Sequence, residues 1–227
     1  MTEQSLPRIA VLGGTGSEGS GLAVRWANAG YSVTIGSRSA ERAAEGAAKL
    51  NAILGRQAIS GTDNMTAATG ADINVLTVPY SAQQKTAMEV RSALEGKILI
   101  DVTVPLVPPK VNRVQLPAEG SAVVALQQLL GTGVRVVSAF QNVSAHHLLD
   151  LNHKMDCDVL VCGDDKEACA ATIALAKAAG FLAWHAGVLA NSAVAEGLTS
   201  VLIALNQRYK VPSTGIRITG VPDDRVG

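Results

Sequence analysis

The sequence predicts an α/β fold built on a doubly wound parallel sheet. Three observations carry that prediction. Strand-like apolar runs alternate with helix-like runs through the first hundred residues, which implies parallel strands with helices on both faces. Five of the 22 glycines, Gly13, Gly14, Gly16, Gly19 and Gly21, crowd into nine residues after the first such run. Hydrophobic residues make up 48% of 227, ample material for a core.

The elements follow in order. Arg8–Gly13 reads as a buried strand, and Glu18–Ala29 as a helix with Leu22, Trp26 and Ala29 near one face. Tyr31–Gly36 reads as a second strand and Ala40–Leu54 as a second helix. A short strand near Ala58–Ser60 and a short helix near Asn64–Thr69 come next. Asp72–Val78 and Lys97–Val102 read as strands around a helix at Ser81–Leu94. Four of the eight prolines then fall between Pro105 and Pro117, which predicts a long irregular loop. Beyond it come a helix (Ser121–Leu130), a strand (Arg135–Ala139), a strand (Cys157–Gly163), a helix capped by Asp164 or Asp165 (Lys166–Ala179) and a strand (Phe181–Ala186). Val188–Gln207 is long and apolar and predicts a mostly buried helix, covered within the domain or by a second copy of the chain. Residues 1–140 are expected to form a dinucleotide-binding domain and residues 141–227 a smaller C-terminal α/β part.

Charge and composition exclude several partners. Lysine plus arginine number 19, as do aspartate plus glutamate, so the chain lacks the basic field of a nucleic-acid binder. Aromatics are only 3%, which argues against base-stacking platforms. No uninterrupted apolar run approaches a membrane span, and Met1–Pro7 is short and polar, unlike a signal peptide. Cys157, Cys162 and Cys169 match neither a disulfide framework nor a zinc pattern, and are expected to be buried, reduced thiols of a cytoplasmic protein.

Gly14-Thr15-Gly16-Ser17-Glu18-Gly19 matches G-x-G-x-x-G between a strand and a helix. Gly14 permits the tight turn, Gly16 lets backbone approach a pyrophosphate, and Gly19 allows close helix–strand packing. The helix N-terminus then supplies N–H groups and a favourable dipole. This is the Rossmann-type signature. No Gly-Lys-Ser/Thr follows, so the turn is not a nucleoside-triphosphate loop. At the end of the second strand stand Ser37 and Arg38, with Arg42 one helical turn later, where an NAD site would have a carboxylate. A hydroxyl and two guanidiniums suit a 2′-phosphate, so NADP is expected rather than NAD.

Gly13-Gly14-Thr15-Gly16 after Ala10-Val11-Leu12, with Ile35-Gly36-Ser37-Arg38, resembles the NADP-dependent reductases of coenzyme F420. Leu76-Thr77-Val78-Pro79, Val136-Val137-Ser138-Ala139, Val161-Cys162-Gly163-Asp164-Asp165, Ala186-Gly187, Asn191-Ser192 and Gly215-Ile216-Arg217 extend the resemblance along almost the whole chain. It implies a homodimer that transfers hydride directly between nicotinamide C4 and deazaflavin C5. It also implies that Thr15, Gly16, Ser17 and Glu18 cradle the pyrophosphate and that Ser37, Arg38 and Arg42 hold the 2′-phosphate. Thr77, Val78, Pro79, Tyr80 and Ala145 would flank the dinucleotide. Gln141, Val143, Thr214 and Gly215 would border F420. Gln141 and Ser144 stand where family members carry histidine and proline.

Direct hydride transfer between two cofactors asks the protein for orientation and exclusion of water. In keeping with that, no Ser/His/Asp grouping, Tyr-x-x-x-Lys pair or metal-ligand pattern stands out, and no catalytic side chain is expected. His146 and His147 either serve the acceptor or bond locally at a helix start. A metal site formed by them with His153 lacks a familiar spacing. Asp101 either reaches a ligand at the strand's carboxyl edge or braces the following loop. Tyr80 and Phe140 are expected to face the cofactors. Two other readings keep the NADP site: a reductase of another acceptor (an imine, a flavin or a quinone-like compound), and an NADP(H)-sensing regulatory module.

Overall fold

In the computed structural model, residues 6–221 are described, so the expectations placed on residues 1–5 and 222–227 lie outside it. Eight strands form one sheet in the order β3-β2-β1-β4-β5-β6-β7-β8. In chain order the strands are β1 (Ile9–Leu12), β2 (Val33–Ser37), β3 (Ile59–Asp63), β4 (Ile73–Leu76), β5 (Ile98–Asp101), β6 (Arg135–Ser138), β7 (Asp158–Gly163) and β8 (Leu182–His185). The helices are α1 (Ser17–Asn28), α2 (Ala40–Leu54), α3 (Asn64–Gly70), α4 (Gln83–Glu89), α5 (Arg91–Leu94), α6 (Ala122–Leu130), α7 (Lys166–Ala178) and α8 (Ser192–Tyr209).

The two-residue period of β1 divides the core. Ile9 and Val11 face Leu22 and Trp26 of α1, in a cluster that also takes in α2 and α7. Ala10 and Leu12 belong to the opposite cluster, with Ala67, Ala87, Leu94 and Leu126 of α3–α6. The sheet is thus doubly wound, as the sequence predicts. The strand order reverses between β1 and β4, the place where such sheets bind ligands at their carboxyl edge.

Several expectations need correction. The sheet is not wholly parallel: β6 and β7 pair antiparallel, Ser138 opposite Cys162 and Val137 opposite Gly163. An antiparallel partner needs no crossover helix, and residues 139–157 hold only a 3₁₀ turn, Ala145–His147. Because the register starts at Cys162, Asp158–Val161 of β7 runs on past the carboxyl edge of β6. At about 3.4 Å per residue the overhang is roughly 14 Å. β8 pairs with that overhanging stretch from Asp158↔Leu182 to Val161↔His185.

The helix expected at Ser81–Leu94 is broken. It becomes a 3₁₀ turn (Tyr80–Ala82), then α4 and α5 either side of buried Val90, whose φ of −108° and ψ of 9° are not helical. The last helix is not mostly buried. A 3₁₀ turn (Leu189–Asn191) precedes it, and α8 buries only Ser192, Ala195, Glu196, Ser200 and Leu202. That spacing is one narrow stripe of mainly small or polar residues, and it leaves Val194 (67%) and Val201 exposed. Leu189–Tyr209 is long and apolar enough, by length and composition, to cross a bilayer. Phe140 does not face a ligand. It is fully buried and meets Trp26 and Phe181 edge-on at centroid distances of 6.0 and 6.1 Å. Cys157 is only half-buried, whereas Cys162 and Cys169 are buried; desolvation raises all three thiols to about 11. The loop from Pro105 to Pro117 is irregular as expected and lies along α8, where Asn112 Nδ2 donates to Gln207 Oε1 at 2.8 Å.

The two ends of the chain are joined by Arg25, a residue of α1 only 7% exposed. Its guanidinium donates to the carbonyls of Leu148, Ala179, His147, Asp150 and His153 at 2.8–3.3 Å. Replacing Arg25 with Met keeps the aliphatic bulk and strips donors from these carbonyls. The expected cost is about 2–4 kcal/mol in urea unfolding, and an unchanged midpoint would refute the clamp.

Candidate functional site

The glycine turn joins β1 to α1. Four helices begin with a side-chain cap: Ser39 for α2, Asp63 for α3, Ser121 for α6 and Asp165 for α7. The N-terminus of α1 has none, because its N-cap is Gly16. Its first N–H groups are left for another acceptor, in the field of the helix dipole. The glycines differ in what surrounds them. A Cβ on Gly19 would strike Thr77 Oγ1 and Gly14 Cα, whereas one on Gly16 meets only Gly13 O at 3.6 Å. Gly16 therefore keeps an approach open, and Gly19 allows α1 to sit against the end of β4. These are the features a bound pyrophosphate requires.

Thr15, Gly16, Ser37, Arg38, Arg42, Thr77, Val78 and Pro79 line one cleft of about 750 Å³ at the carboxyl edge. Ser37 closes β2, and Arg42 stands in the first turn of α2 behind its Ser39 cap. Arg38 and Arg42 are exposed, and among the described residues neither guanidinium has a carboxylate partner. Two free cations at the β2 end are a ready site for a dianionic phosphate. Tyr80 begins the 3₁₀ turn after β4 and does not line the cleft. Ala145 lines a second cavity of about 910 Å³ together with Ser17, and this cavity shares Thr15 and Arg42 with the first. Gly14, Glu18 and Gly19 line neither.

The four residues expected to border the acceptor are split. Thr214 and Gly215 line a third cavity of about 470 Å³ with Ser144, His147, His153 and Cys157. Gln141 is buried and Val143 packs against the core. The pairs are linked through α8, where Thr199 Oγ1 donates to the Gln141 carbonyl at 2.7 Å and Thr214 Oγ1 to the Leu202 carbonyl at 3.2 Å. The overhang of β7 shapes this region. Asp158 N donates to the Ile216 carbonyl at 2.8 Å, and Asp158 Oδ2 accepts from Ile218 N and Trp184 Nε1.

His147 stacks on His153 at 3.9 Å and meets His146 edge-on at 4.5 Å. Desolvation, then repulsion from His153 and His146, lowers the His147 pKa against the pull of Asp150. Asp101 is fully buried. Its Oδ1 accepts from Thr103 N at 2.9 Å, which braces the loop, and its Oδ2 accepts from Gln83 Nε2 at 2.5 Å.

The sequence reading missed Glu196. This buried carboxylate reaches from α8 to the start of α6, accepting from Ser121 Oγ at 2.6 Å and Ala122 N at 2.8 Å. A carboxylate in the middle of an apolar helical run was the available signal. It missed Arg25 as well.

The glycine geometry predicts opposite outcomes for two alanines. Gly19→Ala is expected to cost about 1–3 kcal/mol by forcing α1 away from Thr77. Gly16→Ala is expected to cost less than about 1 kcal/mol. Thermal unfolding of both checks the ranking, and equal losses would contradict it.

Comparison with known proteins agrees with this geometry. Residues 8–105 match the family model described as NADP oxidoreductase, coenzyme F420-dependent. The F420-dependent NADP reductase of Methanothermobacter thermautotrophicus is 42% identical over 230 residues, covering 98% of this chain and 99% of its own. That of Methanocaldococcus jannaschii is 41% identical, covering 94% and 99%. The solved structure of a protein from Arthrobacter sp. FB24 superposes with a TM-score of 0.79 at 25% identity, covering 95% of this chain and all of that one. A Plasmodium falciparum pyrroline carboxylate reductase with NADP bound shares the fold at a TM-score of 0.60 and 13% identity, covering 89% and 62%. With full-length identity above 40% and the glycine turn and Ser37-Arg38 pair in place, the chain belongs to the coenzyme F420-dependent NADP oxidoreductase family.

Proposed function

We propose that this chain is an oxidoreductase that moves a hydride directly between NADP(H) and the deazaflavin coenzyme F420. One observation carries the reading. An uncapped glycine turn and two unpaired arginines share a cleft, in a chain 42% identical over 98% of its length to an F420-dependent NADP reductase. The two cofactors supply the hydride chemistry. The chain's own residues bind, align and exclude water.

In this reading Gly14, Thr15, Gly16 and Ser17 hold the pyrophosphate. Ser37, Arg38 and Arg42 hold the 2′-phosphate, and Thr77, Val78, Pro79, Tyr80 and Ala145 flank the dinucleotide. The overhanging β7–β8 pair and the segment bonded to Asp158 wall the acceptor, with Gln141, Val143, Thr214 and Gly215 on that side. Residues 1–140 act as the NADP domain and residues 141–227 complete the acceptor site. The outward face of α8, with Val194 and Val201, is covered in a homodimer, and the protein works in the cytoplasm.

Mixing the protein with NADPH and F420 is expected to bleach the oxidised-F420 absorbance. Retained NADPH binding without turnover would sink the F420 assignment. Arg38→Ala is expected to weaken NADP(H) by about 1.5–3 kcal/mol, roughly 10- to 150-fold, and NAD(H) far less. Equal losses for both dinucleotides would remove the 2′-phosphate role. Sedimentation should show a dimer that Val194→Asp together with Val201→Asp converts to a monomer; a monomeric parent protein would overturn the interface.

A further inference from the structure

Two carboxylates meet behind the glycine turn with no cation between them. Glu18 stands in the first turn of α1, and its Oε1 is shut from solvent without a partner. Burial, and secondarily the charge of Asp101, push it up to about 8. Asp101 differs because both its oxygens accept N–H bonds, which oppose the upward push of burial and keep the charge there. The proton of the pair therefore resides on Glu18. Glu196 of α8 also feels Asp101, but it is saturated by Ser121, Ala122 and Val123. Arg42, Glu45 and Lys49 of α2 and His146 of the neighbouring 3₁₀ turn line the cavity that Ser17 and Ser20 face, and Glu18 is not in it.

Position indicates what this acid faces. With the pyrophosphate at the turn and the 2′-phosphate by β2, the rest of the dinucleotide runs the other way along the edge, toward β4, β5 and β6. Asp101 ends β5, and Glu18 lies within its field. Gln83 and Gln141 are almost fully buried there and donate to Asp101 through Nε2. Their Oε1 atoms have no partner, and neither do Thr103 Oγ1 and Ser138 Oγ. A site of two acids and free amide oxygens offers mainly acceptors. It suits a ring that carries positive charge and a carboxamide NH₂, which is oxidised nicotinamide.

Resting on the NADP reading above, we propose that Glu18 is a redox-coupled proton switch, protonated beside reduced nicotinamide and releasing its proton to solvent when the cationic oxidised ring binds. The sign follows from linkage. A neighbouring cation favours the carboxylate, so the Glu18 pKa falls from about 8 on binding NADP⁺ and stays high with NADPH. Below about pH 8 NADP⁺ binding releases a proton, and NADP⁺ binds more tightly as pH rises; above it the linkage fades.

Titration calorimetry at pH 7 in buffers of different ionisation enthalpy tests this. The expected result is ~1 more proton released on binding NADP⁺ than on binding NADPH, with the ratio of their affinities shifting about tenfold per pH unit. The 2′-phosphate is common to both ligands and cancels in the difference. Glu18→Gln is expected to abolish the difference while NADPH still binds. Equal proton release from the unaltered protein, or a difference that survives Glu18→Gln, overturns the switch and leaves the NADP reading standing. Failure to bind either dinucleotide overturns both.

Discussion

Arg25 sets the relation between the two ends of the sheet. Its guanidinium is held by five carbonyls from the segment after β6 and the end of α7, and none of these partners is a carboxylate. A guanidinium stays charged even when desolvated, so only a dense set of dipoles makes this burial tolerable. The next residue continues the attachment, with Trp26 Nε1 donating to the Leu175 carbonyl at 2.8 Å. The C-terminal half of α1 is therefore fixed to the late chain, while its N-terminal end presents free N–H groups. The direction in which the glycine turn points is fixed by a cation two turns away from it.

The acceptor side depends on strand direction. A parallel β7 would have ended at the carboxyl edge of the sheet like its neighbours. Running antiparallel, it begins beyond that edge and brings Asp156–Asp158 there. Asp158 then gathers the late chain through Ile216, Ile218 and Trp184. Glu196 completes the arrangement by capping α6 from α8, in place of a longer local cap.

What the sequence reveals here follows the range of each interaction. The βα alternation, the glycine turn and the Ser37-Arg38 pair are set by neighbours a few residues apart, and all are legible. The cap at Asp165 and the irregular Pro105–Pro117 loop are local too. Strand direction is not, because an apolar run such as Asp158–Gly163 reads the same both ways. Phe140 illustrates a second limit. It follows a strand end, yet its φ of 72° turns the chain so that the ring enters the core between Trp26 and Phe181. Arg25, Glu196 and the Glu18–Asp101 pair were opaque because their partners lie 75 to 154 residues away or on another strand. Among the site residues, those of the glycine cleft come together as expected, whereas Gln141 and Thr214 meet only through α8.

The overhang of β7 also orders the site in time. Every residue of the glycine cleft is in place once the chain has passed Pro79, through contacts among adjacent βα units. The acceptor wall closes through Ile218 N on Asp158 and Arg217 on Asp156, pairs 60 and 61 residues apart. Closing so long a loop is entropically dearer than pairing neighbouring strands. The dinucleotide half can therefore form during synthesis, before the last residues exist, and the acceptor half matures last. In the finished protein the same ranking makes the wall the first part to open, so the acceptor can come and go while the dinucleotide half stays folded.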